Sequence, residues 1–241
     1  MKLGDRMKRY EFVTRNYLTC RTPVIVRIDG RAFHTFTKGL EKPYDGDFMR
    51  LMQNTTLELC KEIPGCKLGY TQSDEISLLL TDWDNNDTQA WFQNNLSKII
   101  SITASLTTLK FNNILEDKLQ YNGFSYKFNN KRWKATFDSR AFNIPKEEVC
   151  NYFIWRQQDA TRNAIQSAGQ AYFSHSQLQN KNCNEIQEIL WKENNINFDK
   201  YRTDFKRGSC VIKKDGKWDI DLDIPIFTQD RDYIDKLLGV E

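Results

Sequence analysis

Two acidic positions stand where carboxylates do chemistry. Asp29 closes the apolar run PVIVRID, and Asp74 and Glu75 lie in the polar connector TQSDE between KLGY and ISLLLT. Acids at a strand end and at a neighbouring hairpin are how a two-metal site holds a pair of Mg²⁺ ions. One ion activates an attacking hydroxyl and the other neutralises a departing pyrophosphate. Oxygen donors suit that hard cation. Gly30 follows Asp29 directly, and the backbone from Gly30 through Arg31, Ala32, Phe33 and His34 can offer amide donors to a triphosphate. Arg27, Lys42 and Lys98 are candidate phosphate partners. Each position also has a plainer reading: an Asp ending a strand caps a turn, Ser-Asp-Glu is ordinary hairpin chemistry, and a lone His34 packs.

The elements decide whether these acids meet. PVIVRID is β-branched and closed by Asp29-Gly30, which predicts a buried strand ending in a turn. Asp45 can cap a helix whose apolar positions Phe48, Leu51, Met52 and Leu59 fall three and four apart, stopped at Pro64-Gly65. KLGY and ISLLLT predict a hairpin. Ala90 to about Lys110 has helical period, and Trp133 to Phe137 reads as a further strand. The order β–α–β–β–α–β predicts an α+β, ferredoxin-like palm with an antiparallel sheet, in which strands one and three are central neighbours. The carboxyl end of the first then lies beside the amino end of the third, bringing Asp29 to Asp74 and Glu75.

Residues 145–241 read as a helical elaboration of the same unit, with 1–144 as the catalytic region. A long helix runs through Val149, Tyr152, Arg156 and Ile165, an Asn-rich stretch contains the helix EIQEILWK, and Gly208–Ile212 and Lys217–Ile220 flank the hairpin turn KKDG. Basic residues group at Lys127, Lys131, Arg132 and Lys134, and at Lys206, Arg207, Lys213, Lys214 and Lys217. Each group could follow RNA phosphates or serve as a solvated loop face. The six tryptophans, Trp155 among them, read most simply as core or interface aromatics.

Composition narrows the class. The 241 residues carry 35 Lys+Arg against 32 Asp+Glu, so a polyanion must be held by local clusters and not by an overall basic field. No membrane-spanning or leader segment is readable, and six dispersed cysteines predict reduced thiols in a cytoplasmic setting. P-loop, Rossmann and zincin motifs are absent.

Several longer words then occur in order: RIDGRAFHTFTKGLEKPYD, GYTQSDEISLL, SKIISITAS, FDSRAF, YFIWRQQDATRNA and FKRGSCVI. Together they resemble the tRNA(His) guanylyltransferase superfamily across roughly residues 10–212. The resemblance implies a palm that adds nucleotides to the 5′ end of tRNA in the 3′-to-5′ direction, with two Mg²⁺ ions. ATP or GTP would activate the 5′-monophosphate, and the 3′-hydroxyl of an incoming nucleotide would then attack it. Asp29 and Asp74 would be side-chain metal ligands and Gly30 a carbonyl ligand, while Glu75 is either a catalytic carboxylate beside them or a brace for the hairpin. Arg27, residues 29 to 34, Lys42, Asp45, Ser73, Asp74 and Lys98 would line nucleotides; Arg156, Asn163, Lys206 and Arg207 would contact RNA at the acceptor stem. A homotetramer built as a dimer of dimers is also implied.

The chain departs from that pattern at one word. Members dedicated to tRNA(His) carry His-Ile-Asn-Asn after W-R-Q-x-D-x, where this chain reads Thr161-Arg162-Asn163-Ala164. The departure favours the guanylyltransferase-like branch, which repairs 5′-truncated tRNAs by templated addition, over G−1 addition to tRNA(His). A palm-type nucleotide cyclase and a non-catalytic RNA-binding module stay open as other readings.

Overall fold

The computed structural model describes residues 1–120 and 126–239. Six strands, β1 (Val24–Gly30), β2 (Cys66–Gln72), β3 (Glu75–Leu80), β4 (Phe137–Asn143), β5 (Ser209–Lys214) and β6 (Lys217–Asp221), form one antiparallel sheet in the order β4-β1-β3-β2-β5-β6. The expected palm is present as β4-β1-β3-β2, and the β5–β6 hairpin widens it through pairing of β5 with β2. The Asp215-Gly216 turn of that hairpin is left-handed at both residues, the conformation a tight two-residue hairpin demands.

The α-helices among the described residues are α1 (Leu3–Phe12), α2 (Phe33–Phe36), α3 (Gly46–Glu62), α4 (Leu96–Gln120), α5 (Val149–Tyr172), α6 (His175–Leu178), α7 (Cys183–Asn194), α8 (Thr203–Arg207) and α9 (Asp232–Asp235), with short 3₁₀ turns between some of them. Strand alternation sorts β1 between two layers. Val24, Val26 and Ile28 join a core with α3, α4 and the aromatic cluster Phe33, Phe36, Phe48, Phe111 and Phe137. Ile25 faces the opposite side, where Leu79, Val149 and Phe153 close a second core beneath α5. A third cluster joins the carboxyl half of α5 to α7. Buried threonines on α3 and α4 return their hydroxyls to carbonyls one turn back, Thr55 to Leu51 and Thr103 to Ile99, so the apolar faces carry no stranded hydroxyl there.

Two boundaries differ from expectation. The strand expected at 133–137 begins at Phe137, because FDSRAFN pairs with β1 from Gly30↔Phe137 to Val24↔Asn143 while Trp133 adopts a left-handed φ of 56°. The helix expected from Ala90 begins at Leu96, after a turn in which Phe92, Gln93 and Asn94 all have positive φ. Residues with that backbone cannot continue a right-handed helix.

Candidate active site at the strand-end acids

The β1–β3 register places Asp29 opposite Glu75, and the β1–β4 register places it opposite Asp138. Residues directly opposite share a face, so Asp138, Asp29 and Glu75 form a row on the α5 side of the sheet. One step back lie Arg140, Arg27 and Ser77. Asp138 was not singled out from sequence; the period-two alternation inside FDSRAF, with Phe137 inward and Asp138 on the other face, is the signal that places it.

Asp74 belongs to the β2–β3 turn. Ser73 before it has a φ of 49°, and its hydroxyl donates to Asp74 Oδ1 at 3.0 Å. The Gly30 N–H donates to the Asp74 carbonyl at 3.1 Å, tying the turn to the end of β1. Burial pushes the Asp74 carboxyl above the usual aspartate range; the Ser73 hydroxyl pulls it down and the charge of Asp29 raises it. Among the described residues no Lys or Arg forms an ion pair with Asp29 or Asp74. No three His, Cys, Asp or Glu side chains converge as a metal cage among them either. A pair of close, cation-free carboxylates is nevertheless a donor set that fits Mg²⁺, which keeps several waters and takes one or two carboxylates with substrate phosphates.

Glu75 has the opposite surroundings. It is 5% exposed, Arg27 Nη2 donates to Oε2 at 2.6 Å, and Arg156 Nε lies 2.9 Å from Oε1 as an ionic contact without hydrogen-bond alignment. Burial raises its carboxyl, and Arg156 and then Arg27 oppose that rise. Arg156 also pairs with Asp159, which pairs with Arg162. The guanidiniums expected at phosphate (Arg27) and RNA (Arg156) are therefore turned inward onto Glu75. Nearby, Tyr152 shares a 2.8 Å hydrogen bond with Ser77, and burial pushes its phenol up to about 12.

The segment after Asp29 is pinned at both ends of its turn. The Arg31 N–H donates to the Thr136 carbonyl at 2.9 Å, Ala32 has φ 55°, and Phe33 and Phe36 enter the aromatic core, stacked with centroids 4.9 Å apart. Phe33 thus contributes only backbone to any ligand, while Arg31 and His34 point to solvent. A Cβ on Gly30 would overlap the Phe33 ring, so close packing, and not a positive φ, is what requires glycine. The N–H groups of Ala32, Phe33 and His34 meet no backbone carbonyl among the described residues.

A cleft of about 260 Å³ opens beside the Ser73 turn, lined by Lys42, Tyr44, Gln72, Ser73, Asn163 and Phe205 among others. Lys42 is exposed and makes no ion pair among the described residues, and Asn163 reaches the cleft from α5. Asp45 also borders it, but its carboxylate accepts from the N–H groups of Glu41, Asp47 and Phe48 as the cap of α3, so its oxygens are committed.

The remaining expected residues lie elsewhere. Lys98 is in the first turn of α4, in a separate cleft of about 340 Å³ with Arg15 and Tyr17, its ammonium 5.7 Å from the Phe92 ring centroid. Thr103 on α4 bonds Ser139. Lys98 precedes it by five residues, about 7.5 Å, toward the end of β4 away from Asp138. Lys206 and Arg207 border a third cleft of about 380 Å³ with Gln158 and Thr161, where Lys206 Nζ donates to the Asp199 carbonyl at 2.7 Å.

An antiparallel sheet in this order, with acids at the end of its first strand and in the turn before its third, is the palm of nucleotidyl-transferring enzymes. The profile of the tRNAHis guanylyltransferase family matches residues 4–145. A probable tRNA(His) guanylyltransferase of Dictyostelium discoideum is 30% identical over 204 residues, covering 79% of this chain and 75% of that protein. A bacterial tRNA(His) guanylyltransferase-like protein, solved in complex with ATP, superposes with TM-score 0.90 at 46% identity over 99% of this chain and 100% of that one. A bacterial tRNA(His) guanylyltransferase-like protein in complex with GTP superposes with TM-score 0.81 at 41% identity, with the same coverage. The chain belongs to the tRNAHis guanylyltransferase family and is therefore a nucleotidyltransferase. Among the described residues no helix is long and apolar enough to cross a membrane.

Proposed function

We propose that this chain adds nucleotides to the 5′ end of tRNA in the 3′-to-5′ direction, by template-dependent repair of 5′-truncated tRNAs, in the cytoplasm. The observation that carries the reading is the pair Asp29 and Asp74, which no Lys or Arg among the described residues answers, fixed together by the Gly30–Asp74 backbone hydrogen bond in the turn whose Ser73 borders the Lys42 cleft. Asp29, Asp74 and the Gly30 carbonyl would hold two Mg²⁺ ions, which when bound supply Lewis-acid stabilisation of phosphate charge.

The chain's own groups do the rest. The amides of Ala32, Phe33 and His34 receive triphosphate oxygens, and Lys42 and Ser73 position the nucleotide in the cleft with Asn163. The 5′-monophosphate of the RNA first attacks the α-phosphorus of ATP or GTP, releasing pyrophosphate. The 3′-hydroxyl of the incoming nucleotide then attacks that activated phosphorus, releasing the nucleoside monophosphate. Glu75 acts as the brace of the hairpin, because both its oxygens face arginines. Lys206 and Arg207 would track RNA phosphates along α5. Lys98, remote from the acids of its own chain, fits a homotetramer of two dimers in which another copy approaches that cleft.

Thr161-Arg162-Asn163-Ala164 in place of His-Ile-Asn-Asn favours repair over G−1 addition to tRNA(His). The test supplies labelled NTPs and Mg²⁺ to two 5′-activated substrates, full-length tRNA(His) and another tRNA lacking its first nucleotide. Template-matched extension of the truncated tRNA in preference to tRNA(His) is the expected result. Preferred guanylate addition to tRNA(His) would overturn the repair assignment, and extension of neither would overturn 5′-end addition altogether.

A further inference from the structure

Trp155 has no part in the chemistry above, yet it sits beside it. The indole projects from α5 with 51% of the residue exposed. Its orientation is fixed: Tyr152 meets it edge-on at 5.9 Å, the Arg156 guanidinium lies 4.2 Å from its centroid, and that of Arg27 lies 5.8 Å away. These partners are anchored in turn, Tyr152 by Ser77 and both arginines by Glu75. Arg27 precedes Asp29 by two positions on the same strand face, about 6.6 Å along β1. Across from Arg27 stands Arg140, with 54% of its side chain exposed and a 3.3 Å contact to Asp138. Trp155 is not a wall of the Lys42 cleft, so the incoming nucleotide does not account for it.

A large aromatic held rigid but left in water forgoes the stabilisation of burial. Here two guanidiniums lie against its ring and a third stands across from one of them on β4, where an apolar protein contact would be ringed by neutral side chains. We propose that Trp155 is a stacking platform for an unpaired nucleobase at the end of the RNA acceptor helix, with Arg140 taking the adjoining phosphate. The inference rests on the reading of this chain as an enzyme of RNA 5′ ends. Base–aromatic stacking tolerates any base, which a template-reading enzyme requires of a contact outside the pairing edge. Flanking cations strengthen the platform and contribute salt dependence.

The test uses the full chain with two acceptor-stem hairpins: one missing its first 5′ nucleotide, which leaves an unpaired base opposite the gap, and one blunt. Trp155→Leu keeps apolar bulk without a π face, and Trp155→Phe restores one. For the recessed hairpin, Trp155→Leu is expected to weaken Kd and raise KM by about tenfold to a hundredfold. Its KM for NTP and its kcat at saturating RNA should stay within about twofold, and Trp155→Phe should recover most of the loss. The recessed hairpin should quench wild-type tryptophan fluorescence more than that of Trp155→Phe. Arg140→Ala should lower the slope of log Kd against log salt by about one. An unchanged Kd in folded Trp155→Leu overturns the platform, as does an equal loss on the blunt hairpin, or a change in oligomer mass in place of RNA affinity. Wild type binding neither hairpin would remove the RNA-end reading itself; wild type binding with Trp155→Leu indifferent removes the platform alone.

Discussion

Asp74 and Glu75 are consecutive carboxylates at one hairpin, and their surroundings are opposites. Asp74 stands at the rim with Asp29, half-buried, answered by a serine hydroxyl and, among the described residues, by no cation. Glu75 lies on the floor of the sheet, buried between Arg27 and Arg156. The strand's alternation creates the split: β3 begins at Glu75, so its side chain is directed onto the α5 face, while Asp74 remains in the turn. What a carboxylate does here is set by which cations the tertiary structure brings to it. Rim charge stays available for a ligand, and floor charge is consumed in holding α5 against the sheet.

The largest expected effect belongs to the rim. If Asp29 and Asp74 hold the metals as proposed, Asp29→Asn or Asp74→Asn removes a ligand charge worth several kcal/mol in the transition state and should cut nucleotide addition by about a thousandfold. With Mg²⁺ bound, melting temperature should barely move. Single-turnover extension read beside thermal unfolding makes the comparison, and a Glu75→Gln variant with the same activity loss at unchanged stability would break it by moving Glu75 to the rim.

On the floor the currency is stability. Arg156→Ala leaves Glu75 buried with half its counter-charge, and a broken buried pair costs about 3–5 kcal/mol. Replacing Glu75 as well, Glu75→Leu with Arg156→Leu, should recover part of that in urea titrations, the remainder being the cost of leaving Arg27 without its carboxylate. A loss under about 1 kcal/mol in the single variant would class the contact with surface pairs, which are worth that little.

A smaller effect comes from pH. The raised Asp74 carboxyl means the metal-free folded chain holds a proton that the unfolded chain has released. That contribution is present below the ordinary aspartate value of 3.8 and is lost as pH rises through the higher folded value. Between about pH 4 and pH 7, metal-free wild type should lose melting temperature relative to Asp74→Asn, and Mg²⁺ should restore it. A gap between the two proteins that ignores pH would show that Asp74 is not buried enough to separate it from an exposed acid.

Much of this was legible in the sequence because it is local. The strand before Asp29, the cap and apolar stripe of α3, the hairpin carrying Ser73-Asp74-Glu75, and the order that joins them follow from patterns a few residues long. The destinations of long cationic side chains do not. Arg27 reads as a phosphate partner until α5 and β3 close around it, and Arg156 reads as an RNA contact until Glu75 takes it. Lys98 is similar: its helix is periodic, but only the pairing of Thr103 with Ser139 shows which end of the sheet it occupies. Asp45 fits two descriptions at once, and its three amide donors show the cap while it also borders the Lys42 cleft. The late start of β4 is a failure of composition against register, since Trp133 to Thr136 looks as extended as the strand that follows.

The Phe33 ring resting on the bare Cα of Gly30 has an evolutionary consequence. The same five-residue segment, Ala32 to Phe36, supplies both the amides beside the acids and two rings of the aromatic core, so mutational drift in one is felt in the other. Lineages of this fold would then change Phe36, Phe48, Phe111 or Phe137 only in compensated sets. An engineer seeking a new nucleotide preference would do better to vary Lys42 itself, an exposed side chain of the cleft outside the aromatic core.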